Sequence, residues 1–194
     1  MSRLDRILAG ALWTLGVLLA ATAAHLCAVF LVPRFVGEPP MRRLAAMAKP
    51  GEMTPLPRAT PAAQWAPFLD PALAQGACLF DLAHGPVRVS GLVDPERMLT
   101  LSFRQPDGEI FYSMSEQAAQ RGAVDVLLLT GDQLDALEAD DEDDEAPAQE
   151  LRLVAPSPTG FVLVNALAAF PGERADAERR AAAISCKREE PPAP

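Results

Sequence analysis

From Ile7 to Val32 the chain reads ILAGALWTLGVLLAATAAHLCAVFLV, with no Asp, Glu, Lys or Arg. A helix of that length rises roughly 39 Å, and the hydrocarbon core of a bilayer is about 30 Å thick. A signal peptide's apolar region is shorter, about 7–15 residues, and ends at small residues. Ala21-Thr22-Ala23 imitates such a site, but the apolar stretch runs on through Leu26, Val29, Phe30, Leu31 and Val32. Cys27 comes after Leu26, not the small residue that lipidation requires. The expected element is an uncleaved signal-anchor helix over 7–33, after a short tail, 1–6. The bilayer itself is then a partner.

The remainder of the chain is polar enough for water and of ordinary size for one domain, about 160 residues. The net charge is −9. That argues against nucleic acid, whose phosphates call for a basic face. Much of the charge is in one block, Glu138, Asp140, Asp141, Glu142, Asp143, Asp144 and Glu145. Such a block repels itself and reads as a solvated acidic loop, 138–147. It lacks the glycine that a calcium-binding EF-hand loop needs for its sharp turn.

Residues 34–68 are rich in proline, which cannot donate to a helix or sheet ladder, and read as a juxtamembrane linker. Within it, Met41 to Ala48 can make two helical turns. Two placements fit them. Arg42 and Arg43 meet lipid head groups while Met41, Leu44 and Met47 face the acyl boundary, or the short helix packs on the domain. Trp65 and Phe68 are expected to plug the edge of the core.

From Gln75 apolar and polar residues alternate with period two, the mark of half-buried strands. Leu99, Leu101 and Phe103 alternate with Thr100, Ser102 and Arg104, and Val87 and Val89 with Arg88 and Ser90. Pro106-Asp107-Gly108 turns the chain into a hairpin. Seven strands are predicted, at 76–82, 86–92, 98–104, 109–114, 123–129, 149–155 and 160–167. The dense run Val124 to Leu129 reads as buried on both faces. Closely spaced strands with turn signals give a mainly β fold, an antiparallel β-sandwich of jelly-roll-like kind over 69–186. Asp132 is expected to cap a short helix through Leu137. Gly172 to Ile184 is expected as a terminal helix with Ala175, Arg179, Ala182 and Ala183 on one face. The tail, 187–194, is expected to be disordered.

Candidates for chemistry are few. His25 lies inside the apolar helix, where a polar ring is costly and therefore a functional candidate. Asp81, His84 and Arg88 cluster in sequence around a turn. An Asp–His pair can hold a base, but a base needs a nucleophile or water to act on. A turn in which Asp81 caps backbone N–H groups explains that residue more simply. Tyr112 reads as packing, and Asn165 as a buried polar group with backbone partners. No CxxC pair, HExxH, glycine-rich phosphate loop or dinucleotide fingerprint is present. No metal, cofactor or catalytic residue is assigned. Lys and Arg near the helix ends favour a cytoplasmic domain, since Arg3 and Arg6 precede it and Arg34, Arg42, Arg43 and Lys49 come after it. Cys78 and Cys186 fit either a disulfide in an oxidising compartment or two buried thiols.

One ordered set of motifs spans nearly the whole chain. His25 then Pro33 comes first, before Asp70-Pro71, Cys78-Leu79-Phe80-Asp81-Leu82 and Gly85-Pro86-Val87-Arg88-Val89. Next come Ser102-Phe103, Phe111-Tyr112-Ser113 and Leu127-Leu128-Leu129-Thr130, then Ala155-Pro156-Ser157-Pro158-Thr159-Gly160-Phe161 and an Ala-rich helix ending at Cys186. The chain resembles the bacterial predicted integral membrane proteins of the domain-of-unknown-function family 1254. The block from Glu138 to Glu145 departs from that pattern as an insertion. The resemblance implies a β-rich domain on one anchor, exported, with a Cys78–Cys186 bridge. It supplies no activity. The expectation is a single-pass protein of the inner membrane with a periplasmic domain, acting as a binding or accessory module with an envelope protein partner. Two alternatives stand beside it. One is an envelope enzyme using Asp81, His84 and Arg88. The other is a subunit of a membrane complex assembled through the helix that bears His25.

Overall fold

The computed structural model describes residues 2–35, 37–60, 64–119, 121–141 and 150–189. The chain divides into two compact units, 1–38 and 39–194.

The first unit is one helix, α1 (Arg3–Phe35). Its start is fixed by a reciprocal cap, in which Ser2 N–H donates to Asp5 Oδ2 at 2.7 Å and Asp5 N–H to Ser2 Oγ at 3.1 Å. Arg3–Val32 has a mean hydropathy of 2.3 and is long and apolar enough to cross a membrane. The hydroxyls of Thr14 and Thr22 donate back to the carbonyls of Gly10 and Leu18, both at 2.9 Å, so neither leaves an unmet donor on an apolar surface. His25 and Cys27 are exposed on this helix.

The second unit is built from two sheets. Its strands are β1 (Thr54–Pro55), β2 (Leu73–Asp81), β3 (Val87–Leu92), β4 (Leu99–Arg104), β5 (Ile110–Ser115), β6 (Ala123–Leu129), β7 (Leu151–Val154), β8 (Thr159–Leu167) and β9 (Ser185–Arg188). One sheet has the order β1-β2-β8-β4-β5, the other β7-β6-β3-β9. The seven strands expected from alternation are all present. Pairing is antiparallel except between β6 and β7, which run parallel. A parallel neighbour needs a long crossover. Here it holds helix α3 (Gly131–Asp141).

The sheets face each other across one core. Cys78 and Phe80 of β2, Leu101 and Phe103 of β4, and Val162 and Val164 of β8 meet Val87 and Val89 of β3, Val126 and Leu128 of β6, and Cys186 of β9. Cys78 and Cys186 are joined by a disulfide, with Cα atoms 6.4 Å apart, so the bridge staples one sheet to the other. Leu127 and Leu129 are buried as well as Val126 and Leu128, so the second half of β6 has no wet face.

The five-stranded sheet is also covered on its outer face. Leu44 and Ala48, in and just after helix α2 (Pro40–Ala45), pack with Leu56 on Ala77, Leu79, Phe161 and Leu163. The stretch read as a linker therefore belongs to the domain from residue 39 on. Of the two placements for the Met41–Ala48 helix, packing on the domain is the one found. Leu44 is fully buried against the sheet, and only Met47 of the apolar three is exposed. Trp65 packs against this outer layer, but Phe68 is fully exposed with φ 60° and plugs nothing.

Three further details differ from expectation. Helix α3 is capped not by Asp132 but by Thr130 and Gln133. Thr130 N–H donates to Gln133 Oε1 at 2.9 Å and Gln133 N–H to Thr130 Oγ1 at 3.3 Å. Helix α4 (Arg174–Ala182) comes after a 3-10 turn at Pro171–Glu173, which shifts its phase; Ala177 and Ala181 are buried, not Ala175, Arg179 and Ala182. Lys187 and Arg188 are not tail but part of β9, paired with β3. Residues 142–149 of the acidic block and 190–194 of the tail lie outside the described residues.

Candidate functional site

Asp81 ends β2, and its Oδ1 accepts from Ala83 N–H at 3.0 Å, capping the 3-10 turn Leu82–His84. His84 Nδ1 is 3.6 Å from Asp81 Oδ2, outside hydrogen-bond range, and its side chain is 65% exposed. Arg88 is turned to other partners. The pleat of β3 buries Val87 and Val89 in the core and places Arg88 on the opposite face of the sheet. There its guanidinium donates to Asp125 Oδ1 at 2.8 Å, Glu150 Oε2 at 2.6 Å and Glu189 Oε1 at 2.9 Å. Glu150 also accepts from Arg152 at 3.3 Å. Partial burial of Arg88 works against its charge, but the three carboxylates outweigh it and hold its pKa above the ordinary arginine value. The expected Asp81–His84–Arg88 cluster thus resolves into a turn cap and a separate ion cluster that ties β3, β6, the entry to β7 and the end of β9.

Asn165 also has other partners than expected. Its carbonyl oxygen accepts from Gln75 Nε2 at 2.7 Å and its amide donates to Thr100 Oγ1 at 3.4 Å, while Trp65 Nε1 donates to Gln75 Oε1 at 3.0 Å. Gln75, Asn165 and Thr100 stand in register across β2, β8 and β4, so the ladder is structural. Asp176 on α4 accepts from Arg97, Arg179 and Arg180 at 2.8–3.0 Å. The Arg180 hydrogen bond, with the charges of Arg97 and Arg179, holds its carboxyl below the usual range.

The most site-like concavity lies elsewhere. A half-open cleft of about 530 Å³ separates β5, the last strand of one sheet, from the β6–β7 margin of the other. That volume is within the range of small-ligand sites, roughly 300–1,000 Å³. Tyr112, Met114, Val126 and Leu151 supply apolar walls; Arg121 and Asp125 stand among the lining residues. Tyr112 also packs against Phe103 of the core, with ring centroids 5.9 Å apart, so its ring is anchored from behind. Arg121 has φ 54° and Gly122 φ 73°, and this paired left-handed turn brings the chain from β5 into β6. The sequence holds one signal for the cleft, the period-two pair Tyr112 and Met114; the rest comes from separate segments. Among the described residues no group of His, Cys, Asp and Glu side chains converges as metal ligands would.

No family model matches this chain, and no curated protein does. Solved structures do. The VPA0106 protein of Vibrio parahaemolyticus matches with a TM-score of 0.52 at 14% identity, over 72% of this chain and 30% of that one. An uncharacterized protein of Burkholderia cenocepacia matches with a TM-score of 0.43 at 14% identity, over 75% of this chain and 35% of that one. The chain spans about a third of the length of either. The Vibrio likeness concerns the fold alone.

Proposed function

We propose that this is a single-pass protein of the bacterial inner membrane whose sandwich faces the periplasm and binds a ligand in the cleft between its sheet edges. The observation that carries the reading is the Cys78–Cys186 bridge between the sheets. Buried disulfides of this kind persist in oxidising compartments and are rare in the cytosol. Helix α1 supports an anchor by its length and hydropathy. The cleft supports binding by its size and by its mixed apolar and charged lining. The enzyme reading loses support, because Asp81 and Arg88 are committed to a turn and to an ion cluster.

Thiol mapping on intact cells tests this. Cells are treated with a membrane-impermeant maleimide, with and without prior reduction. Cys78 and Cys186 should be recovered as one linked peptide pair and should label only after reduction. Free thiols that label only after lysis in denaturant would place the domain in the cytoplasm and sink the proposal.

The place of His25, a polar ring on a helix long and apolar enough to cross a membrane, supports one second reading, a contact with another membrane helix. His25→Leu should then weaken co-purification with that subunit; unchanged recovery would remove the idea.

A further inference from the structure

The cleft is bordered by backbone as well as by side chains. Among the described residues, β5 ends its sheet and is paired on its β4 side alone. Edge strands are normally blunted by a lysine, a proline or an inward-pointing charge. β5 reads Ile110-Phe111-Tyr112-Ser113-Met114-Ser115, with no charge and no proline; its register with β4 slips at Phe111, a bulge that blunts only the start of the edge and leaves Tyr112 to Ser115 regularly paired. Among the described residues, one stretch of unmatched main chain, the outer edge of β5, therefore borders the cleft.

The side chains narrow the ligand further. Tyr112 and Met114 line the cleft two residues apart, the spacing of one face of a strand. The two charges in the lining are not equivalent. Asp125 is already held by Arg88 at 2.8 Å. Arg121 makes no ion pair or hydrogen bond with any described residue. The charged lining residue left without a bonded partner among the described residues is thus a cation.

We propose that the cleft takes an extended polypeptide segment, which adds to the edge of β5 as a further strand. Its main chain completes the unpaired amides and carbonyls, its alternate apolar side chains rest on Tyr112 and Met114, and an acidic side chain reaches Arg121. This rests on the binding reading above and names the ligand class for the same site.

The test uses the full chain in detergent micelles with the disulfide intact. The probes are fluorescent octapeptides of alternating valine and serine, read by anisotropy. One ends in glutamate, one in lysine, and one repeats the glutamate peptide with every amide N-methylated. The glutamate peptide should bind about tenfold more tightly than the lysine peptide, and Arg121→Glu should invert that order. N-methylation should abolish binding, because a methylated amide cannot pair with a strand edge. Thermal unfolding of Arg121→Glu should match the parent, since the side chain is exposed. Equal binding of the methylated peptide, an unchanged charge preference in Arg121→Glu, or no binding up to millimolar peptide overturns the proposal. A photo-crosslinker at position 112, used in native membranes, separates the two readings. An adduct of non-peptide mass would retain a binding cleft while refuting a peptide ligand. An adduct within the same chain, or none, would refute both.

Discussion

Removing the Cys78–Cys186 bridge is the sharpest perturbation this fold offers. The two cysteines are 108 residues apart. A cross-link that closes a loop of about 100 residues restricts the unfolded chain by about 4.7 kcal/mol in the chain-entropy model. The native state keeps its other ties between the sheets, since Phe80, Phe103, Val89, Val126 and Val162 remain in one core. The double variant Cys78→Ala/Cys186→Ala should therefore fold to the same structure and lose about 4–5 kcal/mol. For a domain of this size that is a fall in Tm of about 9–19 °C. It is also a large share of the roughly 5–15 kcal/mol that a domain usually has. Guanidinium and thermal unfolding of the full chain in micelles measure it, with reduced parent protein as a second sample. The denaturant slope should rise in both, because an unlinked chain exposes more surface when it opens. A loss below about 1 kcal/mol with an unchanged slope would refute the reasoning, by showing that the unfolded chain holds its two ends together without the bond.

Other consequences are equally open to measurement. Arg88→Met leaves Asp125, Glu150 and Glu189 facing one another, and Arg88 is 30% exposed. The cost at pH 7, read by thermal unfolding, should fall between the values for exposed and buried pairs, about 2 kcal/mol. Gly160→Ala places a methyl against the carbonyl of Arg104 and the ring of Phe80. It should cost about 2–3 kcal/mol in urea unfolding, while Gly172→Ala, which meets nothing within 4 Å, should be close to neutral. Asp176 contributes stability that is present above its ordinary value of 3.8 and lost as pH falls below it, because its folded carboxyl is held lower. The gap in stability between the parent and Asp176→Asn should thus be constant at neutral pH and close in acid, and a gap that widened in acid would contradict the hydrogen-bond assignment.

Period-two alternation, dense apolar runs and the turn signals between them located seven strands, because all three are local patterns. β1 and β9 are different. The first is two residues long and contains Pro55, and the second, Ser185-Cys186-Lys187-Arg188, has a single buried residue. Neither carries a pattern to read. Leu44 and Ala48 stand one helical turn apart and fit the short helix expected there, but Leu56 is isolated in the proline-rich stretch and nothing near it announces that the three seal the outer side of a sheet. The parallel direction of β7 was hidden because strand chemistry is the same in either direction. At the candidate site, closeness in sequence misled. Asp81, His84 and Arg88 lie within eight residues, but the pleat sends Arg88 to Asp125, Glu150 and Glu189. The cleft assembles from residues 112–151, and nothing short-range ties Arg121 to Leu151.

The position of the bridge also decides how the protein responds to proteolysis. Every connection between the end of β2 and the start of β9 lies inside the loop that Cys78 and Cys186 close. A protease that cuts once in any of them produces two fragments that remain covalently joined, and through residues 1–77 both remain attached to α1. Such a nicked molecule would run as one band on an unreduced gel and as two after reduction. It would keep its core and stay where it was made.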